Sequence, residues 1–352
     1  MTTALMTIVI LGFIILVHEL GHFMAARRAG ILCHEFAMGF GPALYSWRGG
    51  ETKFSIRLIP LGGYVLMAGE IPSGPEGKPD EEGPYPPAEP GRNFQDKSIL
   101  ARMGVIAAGP VTNFIAAFVV FFVVLAAVGV PVPTVEIAAV APGLAADQGG
   151  VQPGDRMLYI DGVEINSWED VVFAVRDRPD RQVQMLVDRD GTEVSLELVV
   201  GRSPQDESVG YIGIEPAVRD QRMGLLPALT EAASWTALML VMLVDVFLRL
   251  FQGETANLLG VVGLGAEVGH AAALGLSSVL WMVATISASI GFFQLLPIPA
   301  LDGSRLIFLL VEAIRGRPMD PEKEGMINFL GFAFLILLVL YVTFQDITRL
   351  FG

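Results

Sequence analysis

The 352-residue chain has a single cysteine, Cys33, so it can form neither an intramolecular disulfide nor a cysteine-rich metal site. It is also short of positive charge. Its 23 lysines and arginines against 37 acids give a net charge of −14, which argues against nucleic acid as a partner. Charged residues make up only 17% of the chain, whereas 53% is hydrophobic. This balance favours a polytopic membrane protein that carries a polar module over an ordinary soluble domain.

Two of the four histidines lie in one short motif, His-Glu-Leu-Gly-His, at residues 18–22. On a helix, residues four apart share one face, so His18 and His22 can offer two imidazoles to one metal ion. Glu19 is close enough to reach a water molecule at that ion, which is the zincin arrangement of two ligands and a general base. Residues 4–26 otherwise resemble a membrane span, where three ionisable groups are costly and favour function over chance.

The first span, residues 4–25, lacks the basic start and the small-residue cleavage site of a signal peptide. Arg27 and Arg28 follow it, and the positive-inside rule assigns that end to the cytoplasm. His22 precedes Arg27 by about 7–8 Å at helical rise. We therefore expect the metal site within the cytoplasmic third of the bilayer.

The hydrophobic pattern of residues 31–70 differs from that of the first span. Apolar and polar residues alternate from Thr52 to Leu58, as in a strand, and glycines indicate turns. The pattern predicts a small antiparallel sheet directly after the metal-binding helix. At membrane depth such a sheet must be shielded by protein or line a wet cavity. Its edge strand could pair with an extended peptide. A plain cytoplasmic hairpin is the alternative.

A segment rich in proline, glycine and acids at residues 71–91 predicts a mobile linker, and basic residues follow it on the cytoplasmic side. The second span, residues 102–130, contains Ala-Gly-Pro at 108–110, where small residues permit close approach of another helix. Asn113 lies one turn later. Its amide needs a buried partner, so we expect it to face the interior of the bundle.

Residues 134–218 resemble a PDZ domain. The resemblance rests on Pro-Gly-x-Ala-Ala, Gly-Val-x-Pro-Gly-Asp and Ile-Asp-Gly, then a helix at Trp168–Arg176 and strands at Gln182–Asp188 and Glu193–Val199. Tyr-Ile-Gly-Ile, which includes Gly213, comes last and resembles the loop that binds a peptide carboxylate. That order suggests a circularly permuted domain. A peptide C-terminus is the partner this implies, and a spacer or size filter is the alternative.

Residues 223–275 permit two interpretations. The stretch 235–251 is apolar enough for a span, but a crossing there would place Arg305, Arg315 and Lys323 outside the cytoplasm. We therefore predict an extracytoplasmic helix at 230–252 that is interfacial or partly embedded, followed by a glycine-rich connection.

A third span at 276–296 ends in Leu-Pro-Ile-Pro, after which Asp302 opens a short helix. Asp302 could simply cap that helix. It could also be the third metal ligand, since two histidines need one more protein donor while the fourth position stays open for water. Counting the spans returns Asp302 to the side of the membrane where His22 lies, which favours the ligand. A last span at 326–346 puts both termini outside.

Together, the His-Glu-Leu-Gly-His motif, Ala-Gly-Pro-x-x-Asn-Phe, the PDZ-like module and Leu-Pro-Ile-Pro-Ala-Leu-Asp-Gly resemble the site-2 protease family. These are intramembrane zinc metalloproteases, and the layout is closest to the bacterial RseP/MmpA type. The resemblance implies a Zn²⁺ cofactor held by His18, His22 and Asp302, with Glu19 as the catalytic base. It also implies that the segment at 50–69 is a membrane-reentrant hairpin that guides substrate.

The same resemblance implies substrates and a location. Substrates would be single-span membrane proteins such as anti-sigma factors, or remnant signal peptides, after a first cut. The site would lie near the cytoplasmic side of the bacterial inner membrane. The candidate substrate-binding residues are Asn113, Gln294 and Gly213. Gln294 stands where the family usually has asparagine, Ser304 replaces a common glycine, and the RseP branch has two PDZ domains rather than one.

The expected fold is a polytopic α-helical membrane protein with four transmembrane helices, a membrane-associated β-sheet and one extracytoplasmic PDZ domain. The expected segments are the first span with its motif (1–30), the sheet region (31–70), the cytoplasmic linker with its basic segment (71–101) and the second span (102–130). They continue with the PDZ domain (134–218), the interfacial helix with its glycine-rich connection (223–275), the third span with the short helix (276–315) and the last span (326–346). Two other functions stay open: a non-catalytic membrane scaffold that binds peptides through the PDZ domain, and a metal transporter or sensor. Neither gives Glu19 a role.

Overall fold

The structure is a computed structural model that describes residues 2–70, 88–204, 206–252 and 260–351. It divides into two compact units. The helical unit comprises residues 1–126 and 224–352, and the sheet unit comprises residues 127–223. The sheet unit encloses the predicted soluble module at 134–218. Most of the predicted linker, residues 71–87, lies outside the described residues.

Helices and strands follow one another along the chain in this order: α1 Thr2–Arg28, β1 Cys33–Gly49, β2 Thr52–Met67, α2 Ile99–Val123 with a π-helical turn at Val124–Val128, β3 Val130–Val140, α3 Ala145–Gln148, β4 Arg156–Ile160, β5 Val163–Glu164, α4 Trp168–Arg176, β6 Gln182–Arg189, β7 Thr192–Val199, β8 Gly201–Arg202, β9 Gly210–Tyr211, β10 Ile214–Gln221, α5 Leu225–Phe251, α6 Val261–Leu274, α7 Leu276–Gln294, α8 Asp302–Arg315 and α9 Pro321–Phe351.

Within the described chain, five helices are long and apolar enough to cross a membrane: α1, α2, α5, α7 and α9. Four of them coincide with the predicted spans, so the prediction of only four spans is not confirmed. The fifth, α5, lies alongside α7, with ring centroids of Trp235 and Trp281 5.0 Å apart and those of Phe247 and Phe292 6.3 Å apart. Residue numbers increase in the same direction along both helices from the first pair of rings to the second, so α5 and α7 run parallel. The interfacial location of α5 stays a prediction.

The glycine-rich connection predicted before the third span is wrong, because residues 261–274 form helix α6. Glycine disfavours a helix by itself, and tertiary packing overrides that preference here. Val268 is buried with Ile10 of α1. Gly263 lies against Asp346 of α9, and its N–H donates a 2.7 Å hydrogen bond to the buried carboxylate. The glycines thus let α6 approach its neighbours closely.

The small antiparallel sheet predicted after the first span is confirmed, since β1 and β2 pair antiparallel. The register is irregular: Phe36 has partners in both Phe54 and Val65, so the start of β1 lies between two parts of β2. Residues 63–67 consequently form one edge of the sheet. Among the described strands, none other pairs with that edge. Phe23 of α1 buries itself against Phe36, which attaches the sheet to α1.

The sheet unit contains an antiparallel sheet in the order β10-β3-β4-β6-β7. The predicted helix at 168–176 is confirmed as α4. It begins at a capping box in which Ser167 and Asp170 satisfy each other's backbone N–H groups. The two predicted strands are confirmed as β6 and β7, and they turn at Gly191, whose φ is +82°. The identity of the unit as a PDZ domain stays a prediction.

An ion pair links buried Asp155, directly before β4, to the partly exposed Arg189 at the end of β6. Arg189 donates to both carboxylate oxygens of Asp155, at 2.7 and 2.8 Å, and the Gln152 N–H donates to the same carboxylate at 2.8 Å. Burial alone would raise the pKa of Asp155, but these hydrogen bonds outweigh it and lower the pKa below its usual value.

We expect Asp155→Asn to destabilise the sheet unit by about 2 kcal/mol, because it removes hydrogen bonds to a charged group. A lowered folded-state pKa contributes stability that is present above the unfolded pKa of about 3.9 and lost as the pH falls through the folded value. Hydrogen exchange of β4 and β6 amides in the full-length protein measures both effects. Equal protection in the variant and the wild type, at neutral and at acid pH, would contradict the assignment.

Candidate active site

Three side-chain atoms converge inside the helical unit. One helical turn of α1 separates His18 and His22, which places both imidazoles on the same face, with their Nε2 atoms 3.2 Å apart. Asp302, the first residue of α8, brings its Oδ2 atom to 3.2 Å from each of these nitrogens. Both histidines are buried. In the described chain this is the one group of three residues whose donor atoms could hold a metal ion.

The alternative role of Asp302 as a helix cap is wrong. Leu301 occupies the N-cap position of α8, and no side-chain capping bond is present there. The Oδ2 atom of Asp302 is buried and accepts no hydrogen bond of acceptable geometry, although two imidazole nitrogens face it. A buried carboxylate oxygen without a hydrogen bond is costly. The cost is offset if a cation lies between the three atoms.

The donor set fits zinc. Zinc ligands lie about 2.0–2.1 Å from the ion in a tetrahedron, so neighbouring ligand atoms should be about 3.3 Å apart. The three separations observed between His18, His22 and Asp302 are all 3.2 Å. Three protein ligands leave one corner of the tetrahedron open, as in catalytic zinc sites.

The other nitrogen of each imidazole, Nδ1, faces a polar group on α2. His22 Nδ1 lies 2.9 Å from the carbonyl oxygen of Val105, and His18 Nδ1 lies 3.4 Å from the amide nitrogen Nδ2 of Asn113. If Nε2 of each ring binds a metal ion, Nδ1 carries the proton and donates. The amide orientation of an asparagine is inferred from such partners. Turning the Asn113 amide so that Oδ1 accepts from His18 also gives that buried oxygen, otherwise unpartnered, a bond.

Glycines on α1 and α2 make room for the imidazoles. A Cβ on Gly109 would lie 2.3 Å from His22 Nε2 and 2.9 Å from His18 Cε1. A Cβ on Gly21 would lie 2.5 Å from the carbonyl oxygen of Ala108. The predicted close approach at the Ala-Gly-Pro segment is confirmed. Its purpose, which is to seat the two histidines against the α2 backbone, could not be read from spacing alone.

The remaining candidates lie in different places. The Cγ atom of Glu19 is 2.9 Å from where a Cβ on Gly63 would be, so Glu19 lies beside the edge of the sheet formed by 63–67. Gln294 accepts a 3.4 Å hydrogen bond from the Asp302 N–H. Gly213 belongs to the sheet unit, in the turn before β10, where its φ is +80°.

Comparison with known proteins gives one family and several full-length relatives. The model of peptidase family M50 matches residues 6–338. The chain is 34% identical to the zinc metalloprotease RasP of Bacillus licheniformis, over 100% of both chains. It is 33% identical to the regulator of sigma-W protease RasP of Bacillus subtilis, over 99% of both. A putative zinc metalloprotease of Rhizobium meliloti is 34% identical over 97% of this chain and 96% of its own.

We expect Gly109→Ala to weaken zinc binding about tenfold or more, because its methyl group would displace both imidazoles. Gly104→Ala is the matched control on the same helix, since nothing lies within 4 Å of a Cβ there. Elemental analysis of the two purified variants after dialysis at a fixed free zinc concentration compares them. Equal zinc content would show that α2 does not seat the ligands.

Proposed function

We propose, on the premise that this chain belongs to peptidase family M50, the site-2 proteases, that His18, His22 and Asp302 hold its zinc and Glu19 is its general base. The protein is an intramembrane zinc metalloprotease and a multi-pass bacterial membrane protein. The observation that carries the residue assignment is the convergence of three buried donor atoms at the spacing of a zinc tetrahedron. The non-catalytic scaffold and the metal transporter are set aside, because the full-length relatives are zinc metalloproteases.

Zinc held by these three residues would supply Lewis acidity, which lowers the pKa of a water molecule and polarises a carbonyl. Glu19 is one residue from a ligand, so its carboxylate can take the proton of that water and deliver it to the leaving amine. Asn113 and the Val105 carbonyl hold the two imidazoles in the tautomer that leaves Nε2 free. Gln294, which accepts from the Asp302 N–H, borders the site and is our candidate for a contact with the substrate backbone.

A transmembrane substrate must unwind before it can be cut, because an intact helix hides its carbonyls in internal hydrogen bonds. The edge of the sheet at residues 63–67 could hold the unwound segment of the substrate. Within the described chain β1 is the one strand that pairs with β2, and Gly63 lies beside Glu19. We propose that the unwound substrate pairs with this edge as an added strand, which holds it extended next to the catalytic carboxylate.

The substrates we propose are single-span membrane proteins trimmed by a first protease, such as anti-sigma factors, and remnant signal peptides. The support is that the Bacillus subtilis relative is named a regulator of sigma-W protease. We further propose that the sheet unit is an extracytoplasmic PDZ domain and that the loop containing Gly213 binds a peptide C-terminus. The metal site itself would lie near the cytoplasmic side, since Arg27 and Arg28 end α1.

We expect Glu19→Gln to lower the rate of cleavage about a hundredfold or more at equal zinc content, because it removes the proton acceptor and leaves the ligands intact. The assay reconstitutes the full-length protein with a trimmed single-span reporter. The conservative variant Glu19→Asp serves as a comparison that keeps the acid but shortens its reach. A Glu19→Gln protein that cleaves at the wild-type rate would exclude Glu19 as the base.

Disulfide trapping tests the edge pairing. Cys33 is the only cysteine, so Cys33→Ala provides a cysteine-free background, and Glu19→Gln keeps the bound substrate intact. Tyr64 and Leu66 are half-buried, whereas Val65 is buried in the core beneath the sheet. We expect a substrate cysteine near the scissile bond to cross-link to Tyr64→Cys or Leu66→Cys but not to Val65→Cys. Cross-linking without this alternation would mean that the substrate does not lie as a strand.

A further inference from the structure

The loop between α7 and α8 carries a strained residue just before the metal site. Ala300 has a φ of +74°, in the left-handed region that alanine disfavours. It lies two residues before Asp302, so its conformation sets the direction in which the chain enters α8. Such strain persists only where the surroundings hold it, and it clusters at functional sites.

The surroundings that hold Ala300 come from α9. The buried side chain of Asn328 accepts a 3.2 Å hydrogen bond from the Ala300 N–H through its Oδ1 atom. One turn further along the same face of α9, Gly331 packs against the loop so closely that a Cβ would lie 2.3 Å from Pro299 Cβ. Asn328 and Gly331 together hold the loop against α9.

We propose that Asn328 is a positioning residue for the zinc site: by holding Ala300 in its left-handed conformation, it directs Asp302 toward His18 and His22. The inference rests on the proposed function, because it takes Asp302 to be a zinc ligand. It assigns α9 a part in assembling the site, although none of the three ligands is on α9. Asn328 itself is assigned no contact with the metal or the substrate.

The alternative is that Asn328 only anchors α9 within the bundle. The two roles differ in how they respond to Ala300. A glycine at position 300 adopts a positive φ without strain and so needs no hydrogen bond to stay there. If Asn328 acts through that conformation, Ala300→Gly will compensate for its loss. If Asn328 serves only to dock α9, changing residue 300 will not help.

The test uses the full-length protein in detergent and two readouts: zinc content at fixed free zinc, and the visible absorption of the cobalt-substituted protein, which reports ligand geometry. We expect Asn328→Ala to weaken metal binding about tenfold, as for other residues that orient a ligand, and to alter the cobalt spectrum. We expect the double variant Asn328→Ala with Ala300→Gly to recover most of the affinity and the wild-type spectrum. Failure of the double variant to recover would overturn the positioning role.

Two further variants make the test independent of the Asn328 substitution. Gly331→Ala should also weaken metal binding, because its methyl group would displace Pro299, whereas Gly325→Ala on the same helix meets nothing within 4 Å and should not. Equal metal content in these two variants would contradict a role for α9. Asp302→Ala distinguishes a failure of the proposed function from a failure of the Asn328 inference. If this variant keeps its zinc, the proposed ligand set is wrong. If it loses zinc while Asn328→Ala does not, only the positioning role of Asn328 fails.

Discussion

The structure depends on bringing three buried donor atoms, from two distant parts of the chain, to within 3.2 Å of one another. Burying two imidazoles and a carboxylate this close together inside an apolar bundle costs free energy without a cation. A zinc ion bound between them would make the arrangement favourable. Since His18 and His22 are both on α1, the site also needs contacts that bring Asp302 to them and keep the imidazoles turned toward it. The loop before α8 and the two acceptors at Val105 and Asn113 are those contacts.

The site also requires that helices α1, α2 and α7 pack closely at glycines, where no side chain separates them. Gly21 and Gly109 let the backbones of α1 and α2 approach closely, with the imidazoles packed on the α2 backbone. On α7, a Cβ on Gly291 would lie 2.9 Å from the carbonyl oxygen of Pro110. The three helices therefore press together at the depth of the site, where bulkier residues would separate them. Gly63 extends the same pattern to the sheet, so an added substrate strand would lie next to Glu19. Packing at glycines thus links the proposed zinc ligands, Glu19 and the edge of the sheet.

Sequence patterns predicted the parts of this site that depend on local spacing. The four-residue interval between His18 and His22 predicted that the two imidazoles share a face, and alternating residues predicted the sheet that follows. Asp302 required an argument about which side of the membrane each segment occupies, and the structure places it at the histidines. The packing of Gly109 on both imidazoles and the role of Asn328 could not be predicted, because they depend on contacts between helices that are distant in the chain. Helix α6 was missed since its glycines signal a loop by propensity, whereas burial against α1 and α9 decides its structure.

X-ray absorption at the zinc edge tests the central claim most directly, since it reports the ligands in the full-length protein. A site divided between α1 and α8 predicts two imidazole nitrogens and light oxygen donors at about 2.0–2.2 Å in wild type, with no sulfur. It also predicts that Asp302→Asn removes a carboxylate oxygen from that shell while both imidazole signals persist in whatever metal is retained. An unchanged coordination shell in Asp302→Asn, or a single imidazole in wild type, would contradict the divided site.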